Sequence, residues 1–228
     1  MKEYSVFDIL GPVMIGPSSS HTAGAARLGK IAQIIAGGNE SIKSVNFVLH
    51  GSFSKTYKGH GTDKALVAGI LGMDPWDSRI RNSFEVAKQE GLEFKFTGAE
   101  LGDVHPNTVK FLIDKKDGTQ IEIMGSSIGG GNIKIIEING QSMDFSGDYP
   151  TLIIYHKDIP GMISKISTII YENNINIAFL KVYRSGKGIS ASMIFETDNV
   201  VPDNLINEIK SLENVKDVIS INPIMECE

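Results

Sequence analysis

The stretch from Thr151 to Ile221 constrains the fold more than any other part of the chain. Apolar alternation predicts strands over Thr151 to His156, Asn176 to Arg184, Ile189 to Thr197 and Val215 to Ile221, and helical spacing predicts helices over Pro160 to Glu172 and Pro202 to Leu212. Ser185-Gly186-Lys187-Gly188 supplies the turn between the middle strands. The order β-α-β-β-α-β is that of a ferredoxin-like unit. Pro160 falls near the first helical turn, where its missing N–H leaves no bond unmade.

Ahead of this unit, Asn139 to Pro150 is rich in turn residues and reads as a linker. It divides the chain into a domain over residues 1–145 and a second over 151–226. In the first, strands are expected over Val45 to Phe53, Glu93 to Phe96, Thr108 to Asp114, Gln120 to Gly125 and Ile133 to Asn139. Helices are expected from Ser20, over Thr62 to Met73, and over Asp77 to Glu90 with Gly91 as the stop. Both halves are mixed, so the fold class is α+β.

The run Gly16-Pro17-Ser18-Ser19-Ser20-His21-Thr22-Ala23-Gly24 stands where a helix begins, because Ala26, Ile31, Ile34 and Ile35 follow at helical spacing and Gly37-Gly38 ends the pattern. Ser20 or Thr22 can serve as its N-cap. A cap needs one hydroxyl, whereas this segment offers four beside an imidazole. Helix N-termini present unpaired N–H groups and a positive dipole end, which suits a bound anion.

Composition narrows the partners. The 228 residues are 41% hydrophobic and 21% charged with a net charge of −5, and no basic block occurs, which argues against nucleic acid and anionic membrane surfaces. No apolar run reaches the roughly 18 residues of a membrane span, and the first residues lack the apolar core of a signal peptide, so a cytoplasmic protein is expected. Cys227 is the sole cysteine. One thiol forms no disulfide framework and holds no metal cluster by itself, so no metal site is expected in this chain.

Two further loops carry polar residues. Gly51 to Lys64 follows a strand and concentrates glycine, hydroxyls, lysines and His60, a composition suited to carboxylate or phosphate recognition, although the order of a Walker loop is absent. Ser126 to Asn132 holds three successive glycines. Each alone is as readily a surface loop or bulge. His50, His105 and His156 have no partner at metal-ligand spacing and read as solvated or core-satisfied.

In the second half, Asp158-Ile159-Pro160-Gly161-Met162-Ile163 resembles the signature of ACT domains, which bind amino acids at paired-domain interfaces. The resemblance implicates Gly161, Met162 and Ile163, with Asn176 opening the second strand, as ligand contacts, and implies self-association through this domain. The three loops of the first half taken together, Pro17 to Thr22, Gly59-His60-Gly61-Thr62-Asp63 and Ser127 to Asn132, followed by an ACT-like unit, resemble the beta chain of the iron-sulfur-dependent L-serine dehydratases. The first half is also similar to the allosteric substrate-binding domain of some D-3-phosphoglycerate dehydrogenases.

The dehydratase resemblance implies that a separate cysteine-bearing alpha subunit ligates a 4Fe-4S cluster and that L-serine is converted to pyruvate and ammonia, a step of amino-acid catabolism and gluconeogenesis. A site iron would act there as Lewis acid. On this reading Ser18, Ser19, Ser20 and Thr22 hold the substrate anion, His21 or His60 moves the proton, and Asn132 orients the substrate. A histidine suits proton transfer because its unperturbed pKa, about 6.5, lies near cytoplasmic pH. The alternative is a regulatory module that binds an amino acid or small anion and takes no part in chemistry.

Overall fold

The computed structural model describes residues 13–223, so Cys227 lies outside the described residues. Two compact units are present, one ending at Ser146 and the other running Gly147–Pro223.

In the first unit a π-helical turn, Ser19–Ala23, leads into helix α1, Gly24–Ile35. Strand β1, Ile42–Leu49, buries Val45, Phe47 and Leu49 on one face. It stops earlier than the expected Phe53. Gly51, at φ +54, turns the chain so tightly against Pro106 that a Cβ there would lie 2.7 Å from the Pro106 carbonyl oxygen, and Gly51–Thr56 becomes the short helix α2. Only glycine meets both demands. Helix α3, Thr62–Ile70, follows. The expected helix over Asp77 to Glu90 begins as a 3-10 turn, Ser78–Asn82, capped by the Asp77 carboxylate, and continues as α4, Ser83–Glu90, which ends at left-handed Gly91.

Strands β2 (Glu93–Gly98), β3 (Thr108–Lys115), β4 (Gln120–Gly129), β5 (Asn132–Ile138) and β6 (Gln141–Phe145) complete a six-stranded sheet in the order β2-β1-β3-β4-β5-β6. Only the β1–β2 pair is parallel. The stretch read as linker therefore holds a strand: Met143 and Phe145 alternate into the core, 2% and 1% exposed, and β6 pairs with β5. The loop expected at Ser126 to Asn132 is likewise mostly strand, with Gly129 paired to Asn132 across the hairpin turn Gly130-Gly131.

Helices α1 and α3 pack with glycine against backbone. A Cβ on Gly29 would stand 2.6 Å from the Leu66 carbonyl oxygen, and one on Gly69 would strike the Ala26 carbonyl. This closeness brings the N-terminal ends of α1 and α3, and the polar residues before them, into one neighbourhood, as the contact of the Ser19–Ala23 turn with α3 shows.

The second unit comprises β7 (Thr151–His156), α5 (Met162–Glu172), β8 (Ile177–Gly186), β9 (Ser190–Thr197), α6 (Asp203–Ser211) and β10 (Val215–Ile221), with sheet order β10-β7-β9-β8. This is the expected ferredoxin-like arrangement. Leu152, Ile154, Met193 and Phe195 of the sheet meet Ile166, Ile170, Leu205 and Ile209 of the two helices in one core. The first helix starts two residues later than Pro160, after Gly161 adopts φ +90.

Candidate functional site

The π-helical turn explains why so many hydroxyls precede α1. Ser18, extended at φ −147, is the N-cap: its Oγ accepts the His21 backbone N–H at 3.2 Å, and its carbonyl accepts the Thr22 N–H at 2.8 Å. The Gly24 N–H reaches back to the Ser19 carbonyl, five residues away, the wide closure of a π-turn. The cap expected at Ser20 or Thr22 is thus displaced to Ser18, because both of those residues already lie inside the turn.

His21 is the hub. Its Nε2 lies 3.2 Å from the Ser52 Oγ and its Nδ1 lies 3.5 Å from the Ser18 Oγ. The ring stands edge-on to Phe53, centroids 5.3 Å apart, and to His60 at 4.7 Å. Buried Thr22 donates from Oγ1 to the His60 carbonyl at 3.4 Å. His21 and His60, 39 positions apart in sequence, are therefore brought together.

Burial, and after it the charge of neighbouring His60, hold the His21 imidazole below the ordinary value of 6.5. The folded state thus favours the neutral ring at neutral pH. The unfolded chain binds the proton more readily, so this contribution to stability is complete above pH 6.5 and is lost as the pH falls from there through the lowered value. An NMR titration of the ring-labelled chain is expected to show His21 with a midpoint below 6.5; a midpoint above it contradicts the geometry.

Beside His60 a cavity of about 180 Å³ opens between Pro17, Thr22, Lys64 and Arg81. The Lys64 Nζ donates to the Arg81 carbonyl at 2.8 Å, and both residues line the cavity. Burial raises the Asp63 carboxyl above the usual carboxylate value, offset in part by the backbone N–H and charge of Lys64. The space and charge suit a small carboxylate. Arg81 had no signal in the sequence, since the 3-10 turn that presents it lies outside every polar loop.

The glycine hairpin reaches α1 by another route. Arg27 donates from Nη1 to the Gly131 carbonyl at 3.2 Å, and Gly24 leaves room for Ser127, whose Oγ is buried with no hydrogen-bond partner among the described residues. A Cβ on Gly24 would collide with that hydroxyl. Asn132 opens β5 opposite Gly129, half-buried, and no hydrogen bond among the described residues ties its side chain to His21 or His60. Ser19 and Ser20 are half-buried within the turn.

In the second unit a cavity of about 1070 Å³ is lined by Asp158, Gly161, Met162, Ile163, Arg184 and buried His156. The Gly188 N–H, at 2.8 Å, and after it Arg184, with Nε at 3.0 Å, hold the Asp158 carboxyl below the usual range. Asn176 is placed elsewhere: its Nδ2 donates to Asp198 at 2.7 Å, and it does not line this cavity. His156 is buried rather than solvated, its Nδ1 at 2.7 Å from the Lys157 carbonyl. Among the described residues, no three His, Cys, Asp or Glu side chains gather to hold a metal ion, and no helix is long and apolar enough to cross a membrane.

Comparison with known proteins places both halves. The serine dehydratase beta chain family matches residues 5–89, which include His21, Ser52 and His60, and the ACT domain family matches residues 151–214. The chain is 42% identical over 221 residues to the probable L-serine dehydratase beta chain of Bacillus subtilis, covering 97% of this chain and 99% of that one. It is 43% identical over 214 residues to the L-serine dehydratase beta chain of Peptoniphilus asaccharolyticus, covering 93% and 96%. Similarity at 32% over 204 residues extends to the D-3-phosphoglycerate dehydrogenase of Bacillus subtilis, where it spans 86% of this chain but only 37% of that enzyme. Agreement along the whole length of two separate beta chains shows that the chain belongs to the serine dehydratase beta chain family, with an ACT domain at its C-terminal end.

Proposed function

We propose that this chain is the beta subunit of a cytoplasmic L-serine dehydratase and contributes proton transfer and substrate binding to the conversion of L-serine into pyruvate and ammonia. The observation that carries the reading is the pairing of His21 with His60 beside a small cationic cavity, within the segment matched by the family. A neutral imidazole held through Nε2 by Ser52, with the nearest hydroxyl 3.5 Å from Nδ1, keeps Nδ1 to take the α-proton of an amino acid. Carboxylate binding is assigned to the cavity lined by Thr22, Lys64 and Arg81 and to Ser18, Ser19 and Ser20 in the turn around Thr22. Asn132 belongs to a hairpin anchored on α1 by Arg27, from which it would orient the substrate.

The residues of this chain do not fit an iron-sulfur cluster, since the described residues hold no metal-ligating group of three and the sequence has one cysteine. We therefore assign the 4Fe-4S cluster to a cysteine-bearing alpha subunit, and with it the departure of the β-hydroxyl. The regulatory alternative is less well supported, because the dehydrogenase relative shares only 37% of its length whereas the beta chains match end to end. Pyruvate release from L-serine by the anaerobically co-purified pair tests the assignment.

The second unit is assigned to amino-acid binding at the turn Gly161-Met162-Ile163 and to self-association through the edge strand β8, where Phe179, Leu180 and Val182 are exposed. Asn176 would take part only by leaving Asp198. Deleting residues 151–228 is expected to leave a folded first domain that still supports turnover with its partner, since the proposed catalytic residues all precede the deletion. Mass in solution, or the response of rate to serine, should change, because an effector acts only through a state it binds better. Unchanged mass with an unchanged rate curve rejects this role, and total loss of turnover in a folded complex places part of the active site beyond residue 150.

A further inference from the structure

We propose that Ser52 is the positioning residue for the His21 imidazole, an inference that rests on reading His21 as a proton-transfer group. Phe53 and His60 meet the ring edge-on and limit its tilt, but such contacts do not select a nitrogen. The hydroxyls do. The Ser18 Oγ already accepts the His21 backbone N–H and stands 3.5 Å from Nδ1, at the limit of a hydrogen bond, whereas the Ser52 Oγ lies 3.2 Å from Nε2. Ser52 is the nearer partner.

Its own backbone is fixed independently of His21. The Ser52 N–H donates to the Pro106 carbonyl at 2.8 Å, the Ser52 carbonyl accepts the Thr56 hydroxyl at 2.8 Å, and neighbouring Phe53 is fully buried. The close approach of Gly51 to Pro106 sets where this residue begins α2. The hydroxyl is therefore presented from a rigid support, across 31 positions of sequence, to one nitrogen of a half-buried ring.

A hydroxyl suits this task because it both donates and accepts. When Nε2 is bare, the Ser52 O–H donates to it; when Nε2 carries a proton, the ring N–H donates to Oγ. The ring thus keeps its position through gain and loss of a proton at either nitrogen. A carboxylate there would favour the charged ring and an aliphatic group would leave Nε2 unpartnered, so a hydroxyl holds the base without committing its charge.

Two measurements test this. In the reconstituted pair, Ser52→Ala is expected to lower kcat by about 10- to 100-fold, the scale of a misplaced catalytic group, with KM for L-serine within about twofold, while Ser52→Thr restores kcat to within about threefold. In the isolated chain with ring-labelled histidine, Ser52→Ala is expected to shift the His21 Nε2 resonance while circular dichroism stays unchanged. A Ser52→Ala kcat within twofold of the parent, equal loss in the Ala and Thr variants, or an unmoved resonance overturns the proposal. If His21→Ala is inactive while Ser52→Ala is fully active, only the role of Ser52 falls. If His21→Ala itself turns over normally, the reading of His21 falls and this proposal with it.

Discussion

Replacing His21 by alanine in the reconstituted pair is expected to lower kcat by about two to four powers of ten, the usual worth of a positioned acid or base. His60→Ala should fall in the same range if His60 rather than His21 moves the proton. Binding of L-serine should change far less in His21→Ala, because the cavity is lined by Thr22, His60, Lys64 and Arg81 and not by His21. Steady-state rates at saturating serine separate these outcomes. Near-normal turnover in both variants, with only assembly impaired, makes the loops structural.

The largest effect on stability is expected at Gly69. Helix propensity alone predicts that Gly69→Ala stabilises by about 1 kcal/mol. Close packing predicts the opposite, because a Cβ there meets the Ala26 carbonyl and stands 2.8 Å from the Gly29 Cα and the Lys30 nitrogen, all backbone that no rotamer change can move aside. The helices must separate. Overpacking of this kind costs about 3 kcal/mol, which lowers the melting temperature of a domain of this size by about 6–12 °C. Thermal denaturation followed by circular dichroism checks the sign, and a raised melting temperature would refute the close approach of α1 to α3. Because that approach sets His21 beside His60, the variant should also lose activity below its melting point.

The second unit is legible in sequence because its helices α5 and α6 each bury one apolar face and turn residues separate its strands. Helical spacing in α5 buries Met162, Ile166 and Ile170 on one side, whereas β9 is buried on both faces and is marked by its β-branched and aromatic residues and by the glycine turn before it. Helix α1 was legible for the same reason through Ala26, Ile31 and Ile35, all buried. Sequence and structure differ at the end of β1 and at β6. Strand β1 stops at Leu49 because Gly51 turns, a backbone conformation that sequence alternation does not record. Strand β6 was hidden among turn residues, although Met143 and Phe145 alternate as a strand should.

The candidate site was legible only in part. The hydroxyl run and His60 stand out by composition, yet the π-turn that moves the cap to Ser18 and the bond from Thr22 to the His60 carbonyl join residues that spacing does not link. Ser52 approaches His21 only because α2 begins where Pro106 holds Gly51. Arg81 enters the site from a 3-10 turn whose position follows from packing against α3. Spacing along a chain cannot show such meetings.

The central claim, that this chain is one half of a serine-deaminating enzyme, is tested most directly by measuring pyruvate formed from L-serine under anaerobic conditions. Three samples suffice: this chain alone, its cysteine-bearing partner alone, and the two co-expressed and purified as a complex. This chain alone is expected to be colourless and inactive, and the complex to form pyruvate and ammonia in equal amounts. A complex without activity whose partner is fully active by itself, or a brown and active preparation of this chain alone, would contradict the account.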